Sequence, residues 1–493
     1  MWLWHRRHLW TLLKRTGGRG NIENVLHKSK VKELRPIFYP RSIAVVGVSS
    51  DEARVPALWF KSLMSSGFKG DVYAVNKKGG QFHSYRISSS LTSIPGPVDL
   101  VIVCIPRSSV IDLLRECAEK KVKCVQFYTA GFSEAGEPKW ADAEQKMVRI
   151  AREGGFRIIG PNCFGVYNPR YNIPYGPFNV MPSLGSVGLI VQSGGIMGKI
   201  LEYGMVQGLG FGKGVSIGNA ADIGVADFLE YLALDDEIKT VGLYLEGPRD
   251  TRRLFEVIRA TTETKPVVVW KGGSSPAGDR AIFSHTGALA SPAPVWSGAL
   301  RQAGAIEVRS LEEMCDTLLL LNRFGRLRRG NLGAICGLTD GGGGEAVLIS
   351  DVCTAAGVEV PLLREKTAKA LVNSIGQVGS VLTNPVDMSQ RQAIAPAVKQ
   401  ALDLVANEPQ IDVILVYENA GVLLDVYPRE VTRDVNEVFL DFGRKSAKPL
   451  VLVLPPGPAE VRRREIEEKF KQAGVPIFPS VERAAKAIGN LSR

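Results

Sequence analysis

Short runs of apolar residues, rich in valine and isoleucine, alternate with longer stretches at helical spacing from Ser42 almost to the end of the chain. The first run, SIAVVGVSS (Ser42–Ser50), ends in a Gly/Ser turn, and a helical pattern follows it to Phe68. The strands DVYAVN and VDLVIVCIP, a helix SVIDLLRECAEKK and the strand KCVQFYTAGF come next, and RIIGPNCFGVYNP (Arg157–Pro169) closes the block. Continuous apolar runs bounded by turns read as strands buried on both faces, and their alternation with helices marks βαβ units in a parallel sheet. The same strand, glycine turn and helix open a second block at SVGLIVQSGG, which continues through VGLYLEG, PVVVWKGG and a leucine-rich helix, Leu311–Phe324. A third block opens at LGAICGLTDGGGGEAVLISD and runs through IDVILVYEN and PLVLVLPP to a last helix. The pattern therefore predicts an α/β protein with three doubly wound, Rossmann- or flavodoxin-like parallel-sheet domains in tandem. Their expected limits are 36–170, 171–326 and 327–493, after an extension at 1–35, with RFGRLRRGN as the linker before the third block.

Composition narrows the class. The chain has 493 residues, 45% hydrophobic and 23% charged, enough for about three ordinary globular domains and far from disordered or collagen-like compositions. No apolar run reaches the roughly 18–20 residues of a membrane-spanning helix. The seven cysteines form no CxxC pair and sit mostly in apolar runs, which suits reduced thiols and a cytoplasmic location. Of the net charge of +11, residues 1–35 carry +7, so the body is too nearly balanced for a general nucleic-acid binder. The extension MWLWHRRHLWTLLKRTGGRG reads either as a short basic amphipathic helix or as a flexible tail, and it lacks the pattern of a signal peptide.

Six places along the chain carry chemistry. The turn GVSSDE after the first strand lies where doubly wound sheets bind nucleotides, although it lacks a full GxGxxG fingerprint. After the second strand, where a dinucleotide site usually has an acidic residue, stand Asn76, Lys77 and Lys78. Positive charge there suits a phosphorylated adenosine, such as the 3′-phosphate of coenzyme A and also a 2′-phosphate, and the missing acidic ribose partner, with no catalytic pair for hydride transfer, weakens a nicotinamide-dependent dehydrogenase reading. Asn162, in GPNCFG, either binds a ligand oxygen or caps its turn, and Cys163 beside it reads as a packed small residue. In QSGG, Ser193, Gly194 and Gly195 lie between a strand and a helix, a ready anion site. Glu246 ends the strand VGLYLEG, and His285 sits in WKGGSSPAGDRAIFSHTGALASP, a segment of small residues that reads as a loop. A carboxylate on one ring nitrogen leaves the other free to attack phosphorus, which makes Glu246 and His285 the candidate catalytic pair.

Taken in order, PRSIAVVGVSS, GDVYAVNKKGG, AGFSEAGE, IIGPNCFGVYNP, VGLIVQSGG, SIGNAADIGVADFLEYLA, LYLEGPRD, KPVVVWKGG, SHTGALA and NPVDM resemble the NDP-forming acyl-CoA synthetases. The best-known type is ADP-forming acetate–CoA ligase, and the alpha subunit of succinyl-CoA synthetase is a more distant likeness. The resemblance spans about residues 36–493. It implies that acyl-CoA and phosphate give acyl phosphate and CoA, and that the phosphoryl group moves to His285 and then to ADP. It implies that Glu246 stabilises the phosphohistidine, that Ser193, Gly194 and Gly195 hold phosphate, and that Gly47, Val48, Ser49, Asn76, Lys77, Val103 and Pro106 form the CoA site. No metal ligands are expected on this chain. ATP or ADP and Mg2+ would bind an ATP-grasp domain, which the three blocks do not include, so a beta-type partner subunit and a hetero-oligomer are expected.

Several residues depart from the family pattern: Val55, Pro56 and Ala57 in place of early helix glycines, Ser291 and Pro292 after SHTGALA, and Asp340 and Glu345 around the third glycine turn. They keep open a non-catalytic module that binds CoA or acyl-CoA and regulates or scaffolds a partner.

Overall fold

The structure is a computed structural model; it describes residues 25–178, 184–286, 293–338, 341–375, 382–388, 395–419 and 428–492. Most of the basic extension, together with Ser291, Pro292 and Asp340, falls outside these residues. The fold expectation holds: three sheets, mostly parallel, each flanked by helices.

The chain divides into two compact units, one of residues up to Met205 with Gly210–Ser310, the other of Val206–Leu209 with Leu311 onward. The first unit contains two sheets. In the first sheet, β1 (Ser42–Val46), β2 (Asp71–Val75), β3 (Gly80–Phe82), β4 (Tyr85–Ser88), β5 (Leu100–Val103), β6 (Cys124–Phe127) and β7 (Arg157–Ile159) lie in the order β3-β4-β2-β1-β5-β6-β7. All their pairings are parallel except the edge pair of β3 with β4. Every residue of β1, β5 and β6 is buried, which is why these strands are predominantly apolar, with Ser42 and Gln126 the polar exceptions. The strand order reverses between β1 and β5, and a ligand crevice is expected outside the carboxyl ends at such a point.

The second sheet has β8 (Gly165–Tyr167), β9 (Leu184–Val191), β10 (Phe211–Ser216), β11 (Thr240–Leu245), β12 (Val267–Lys271) and β13 (Ile306–Val308), in the order β13-β12-β11-β9-β10-β8. Only the edge strand β8 is antiparallel. Register fixes the site: Tyr244 pairs with Val191, Leu245 with Lys271, and Ser216 with Val191. The residues just after β9, β10, β11 and β12 therefore emerge together at one edge of this sheet.

The second unit holds the third sheet, in which β14 (Leu332–Cys336), β15 (Val386–Asp387), β16 (Val413–Tyr417), β17 (Leu450–Val453) and β18 (Ile477–Phe478) are all parallel, ordered β15-β14-β16-β17-β18. The leucine-rich helix Leu311–Phe324 packs in this unit against the final helix, Val481–Leu491. Glu345 turns back on its own helix entrance, where it accepts a hydrogen bond from Gly337 N at 2.8 Å. No described helix is long and apolar enough to cross a membrane.

Candidate active site

Two cavities open in the first unit. The larger, about 660 Å³, lies at the β1–β5 crossover and is lined by Gly47, Asn76, Lys77, Pro106 and Ser109 among others. Gly47 has φ +111°, and a Cβ there would fall 2.7 Å from the carbonyl oxygen of Cys104, so only glycine lets β1 pass its neighbour this closely. Lys77 is exposed and makes no ion pair among the described residues, which leaves its ammonium available to an anionic ligand. Asn76 is committed to its turn: its amide donates to Val48 O at 2.9 Å and its side-chain oxygen accepts from Lys78 N at 3.1 Å. Val48 and Val103 are fully buried, so their side chains hold the strands in the core and do not line the cavity. The Ser49 hydroxyl oxygen is buried without a hydrogen-bond partner.

The smaller cavity, about 390 Å³, is bounded by Tyr128, Thr129, Asn162, Phe164, Gln192, Ser193, Gly194, Gly195 and Gly218. Val55, Pro56, Cys104 and Ile105 line both cavities and form the wall between them. Its floor is the start of the helix Gly194–Val206, where free N–H groups and the helix dipole favour an anion. Nothing approaches within 4 Å of where a Gly195 Cβ would lie, so this residue borders open space. Asn162 adopts a left-handed φ of +61° and lines this cavity. Gly218 approaches so closely that a Cβ would fall 2.2 Å from Pro161 O, which seats GPNC of the first sheet on the edge of the second. Cys163 is buried, and burial pushes its thiol up to about 12, so it stays a neutral thiol.

Glu246 is 4% exposed, and three residues fix it. Gln192 Oε1 accepts from Glu246 N at 2.7 Å and from Gly247 N at 3.0 Å. Lys271, itself buried, donates to Glu246 O at 2.8 Å. Burial holds the Lys271 ammonium below its usual range, opposed by Asp279 and Glu246. Tyr244 hydrogen-bonds the Glu246 side chain; burial first, then that carboxylate, pushes the phenol well up. The partnership of Gln192 and Lys271 with Glu246 is not evident in the sequence, because only the β9–β11–β12 register reveals it, whereas Tyr244 lies two residues before Glu246 on the same strand end.

His285 lies in the last described turn of a helix, Pro276–Thr286, and not in a loop. Pro276 presets the first turn, Ser275 Oγ accepts from Gly278 N at 3.1 Å, and buried Ile282 sits against Gly273. The His285 side chain is outside the described residues. Its helix packs against Ser133–Ala135, the short turn of AGFSE. There Asn219 donates to Glu144 at 2.9 Å, and Arg249 pairs with Glu144 at 2.6 Å, tying the loop after Glu246 to the first sheet's helices. Among the described residues no three His, Cys, Asp or Glu side chains converge as a metal site.

A crevice at the strand-order reversal of one parallel sheet, beside an anion cradle on a second, marks a ligand-binding α/β class. Residues 41–169 match the CoA binding domain, and residues 184–321 match the succinyl-CoA ligase like flavodoxin domain. The chain is 33% identical over 467 residues to the alpha subunit of ADP-forming acetate–CoA ligase I of Pyrococcus furiosus, covering 93% of this chain and 97% of that one. It is 35% identical over 455 residues to the alpha subunit of that organism's ligase II, covering 91% and 95%. The solved dinucleotide-forming acetyl-coenzyme A synthetase 1 of Ca. Korarchaeum cryptofilum, in complex with phosphate and ADP, superposes with a TM-score of 0.82 at 25% identity, covering 93% of this chain and 96% of that one. The chain belongs to the family of ADP-forming acetate–CoA ligase alpha subunits.

Proposed function

We propose that this chain is the alpha-type catalytic subunit of an NDP-forming acyl-CoA synthetase. The observation that carries the reading is the shared wall of Val55, Pro56, Cys104 and Ile105 between a CoA-sized crevice and a cavity floored by a helix N-terminus. A thioester lying across that wall presents its carbonyl to a phosphate held over Ser193, Gly194 and Gly195. A phosphate oxygen attacks the carbonyl carbon, the C–S bond breaks, and CoA leaves as its thiol after taking a proton. A ring nitrogen of His285 then attacks phosphorus, the bond to the acyl oxygen breaks, and the carboxylate leaves. Glu246 stabilises the charged phosphohistidine. Positioning and electrostatic stabilisation supply most of the catalysis in such transfers.

Lys77 and the Gly47 turn suit the phosphates of CoA. An ATP-grasp partner subunit, carrying ADP or ATP and Mg2+, receives the phosphoryl group, and the relatives' designation as alpha subunits supports a partner. The seven cysteines are all unpaired, in keeping with a reducing, cytoplasmic setting. The test is to supply the purified chain with acetyl-CoA and radiolabelled phosphate. An acid-labile label is expected, with matching release of CoA, and His285→Ala should abolish the label. CoA binding with no label from any acyl donor would favour a non-catalytic module instead.

A further inference from the structure

The following rests on the reading that an acyl thioester spans the two cavities. We infer that Phe164 is a specificity-determining residue, and that the chain selects an uncharged acyl group with room for one larger than acetyl. With CoA in the larger cavity and phosphate over the helix start, the acyl chain projects into the 390 Å³ space. No Lys, Arg, His, Asp or Glu is among the described residues that line it. A second carboxylate on the substrate would lose part of its hydration there with no charged side chain among the described lining residues to replace it, which is unfavourable. The volume corresponds to about a dozen waters at liquid density, whereas acetyl and phosphate together bring roughly eight non-hydrogen atoms.

Phe164 bounds that space as a fixed wall. Its ring packs edge-on to Tyr128 at 5.3 Å and against Tyr175 at 5.5 Å. Tyr175 is held in turn by its hydroxyl, which donates to Gly194 O at 2.6 Å. On two sides the ring lies against glycine backbone: a Cβ at Gly194 would fall 2.2 Å from it and one at Gly176 2.7 Å. A ring confined in this way does not swing aside for a longer chain, so truncating it enlarges the cavity directly.

The test follows single-turnover labelling of the full chain by radiolabelled phosphate with acetyl-, butyryl-, phenylacetyl- or succinyl-CoA at equal, subsaturating concentrations. Butyryl-CoA is expected to label at least as fast as acetyl-CoA, and succinyl-CoA about a hundredfold slower. Phe164→Ala should raise the ratio of phenylacetyl to acetyl labelling by about tenfold, since one methylene in an apolar pocket already shifts discrimination about 10–200-fold. Phe164→Leu, a gentler truncation that guards against loss of folding in the alanine variant, should move the ratio the same way by less. An unchanged ratio in the folded variants, or succinyl-CoA matching butyryl-CoA, overturns the inference while leaving the proposed activity standing. No label from any acyl-CoA in the parent chain overturns both.

Discussion

Gln192 is the hinge between the anion cradle and Glu246, and replacing it tests that geometry. Its side-chain oxygen is the acceptor for two successive backbone donors, Glu246 N at 2.7 Å and Gly247 N at 3.0 Å, and the residue is only 6% exposed. Gln192→Ala deletes this acceptor and leaves both amides without a partner. A buried donor stranded in this way costs about 1–3 kcal/mol. Gln192 lines the smaller cavity, so with water replacing one of the two bonds the net loss is about 1–3 kcal/mol. A loss of that size felt in full at Glu246, at about 1.36 kcal/mol per factor of ten, slows histidine phosphorylation roughly 5–150-fold. The assay is the initial rate of acid-labile labelling, run beside thermal melting. Gln192→Glu is the control: a carboxylate accepts the same two bonds and keeps the loop in place, but its charge beside the glycine turn repels phosphate. Both variants should therefore label slowly, and only the alanine variant should melt earlier. Labelling by Gln192→Ala within about twofold of the parent, with unchanged melting, would refute the reasoning.

Three further outcomes follow. Gly47→Ala places a Cβ against Cys104 O at a φ of +111°, so titration calorimetry should show CoA affinity lower by at least about tenfold, and an unchanged affinity would remove Gly47 from the site. Lys271→Met removes the lysine's hydrogen bond to the Glu246 carbonyl and should cost about 1–3 kcal/mol of stability and slow labelling, whereas a variant that labels normally would show that the lysine does not position Glu246. Glu418, at the end of β16, is 2% exposed, and burial pushes its carboxyl up to about 8. A carboxyl whose folded pKa is raised stabilises fully below its unfolded value and loses that contribution as pH rises through the folded one. Glu418→Gln should thus match the parent near pH 4 and become the more stable by a few kcal/mol near about pH 8; parallel pH profiles for the two proteins would show that the carboxyl is not buried.

Much of the architecture was legible because the central strands are buried on both faces. SIAVV, LVIV and CVQF are predominantly apolar for that reason, with Ser42 and Gln126 the buried polar exceptions, and the leucine-rich helix has the bounds its pattern suggests, Leu311–Phe324. The glycine turns were legible too, since Gly47 and Gly218 stand where no side chain fits. What was not legible depended on register or direction. The adjacency of Gln192, Lys271 and Glu246 follows from the pairing of Tyr244 with Val191 and of Leu245 with Lys271, which one strand alone does not encode. Pro276–Thr286 looked like a loop because its proline, glycine and serines suggest one, yet those residues serve as a helix start capped by Ser275. Val48 and Val103 shared a segment with the CoA crevice but point into the core, and Asn76 spends its side chain on its own turn.

The residue that receives phosphorus is decisive. Peptide mapping by mass spectrometry, after brief exposure of the full chain to acyl-CoA and phosphate, should find one phosphoryl group per chain, on the peptide that carries His285. A phosphoryl group on any other residue, or an unmodified chain that has nonetheless released CoA in a phosphate-dependent way, would contradict transfer through His285.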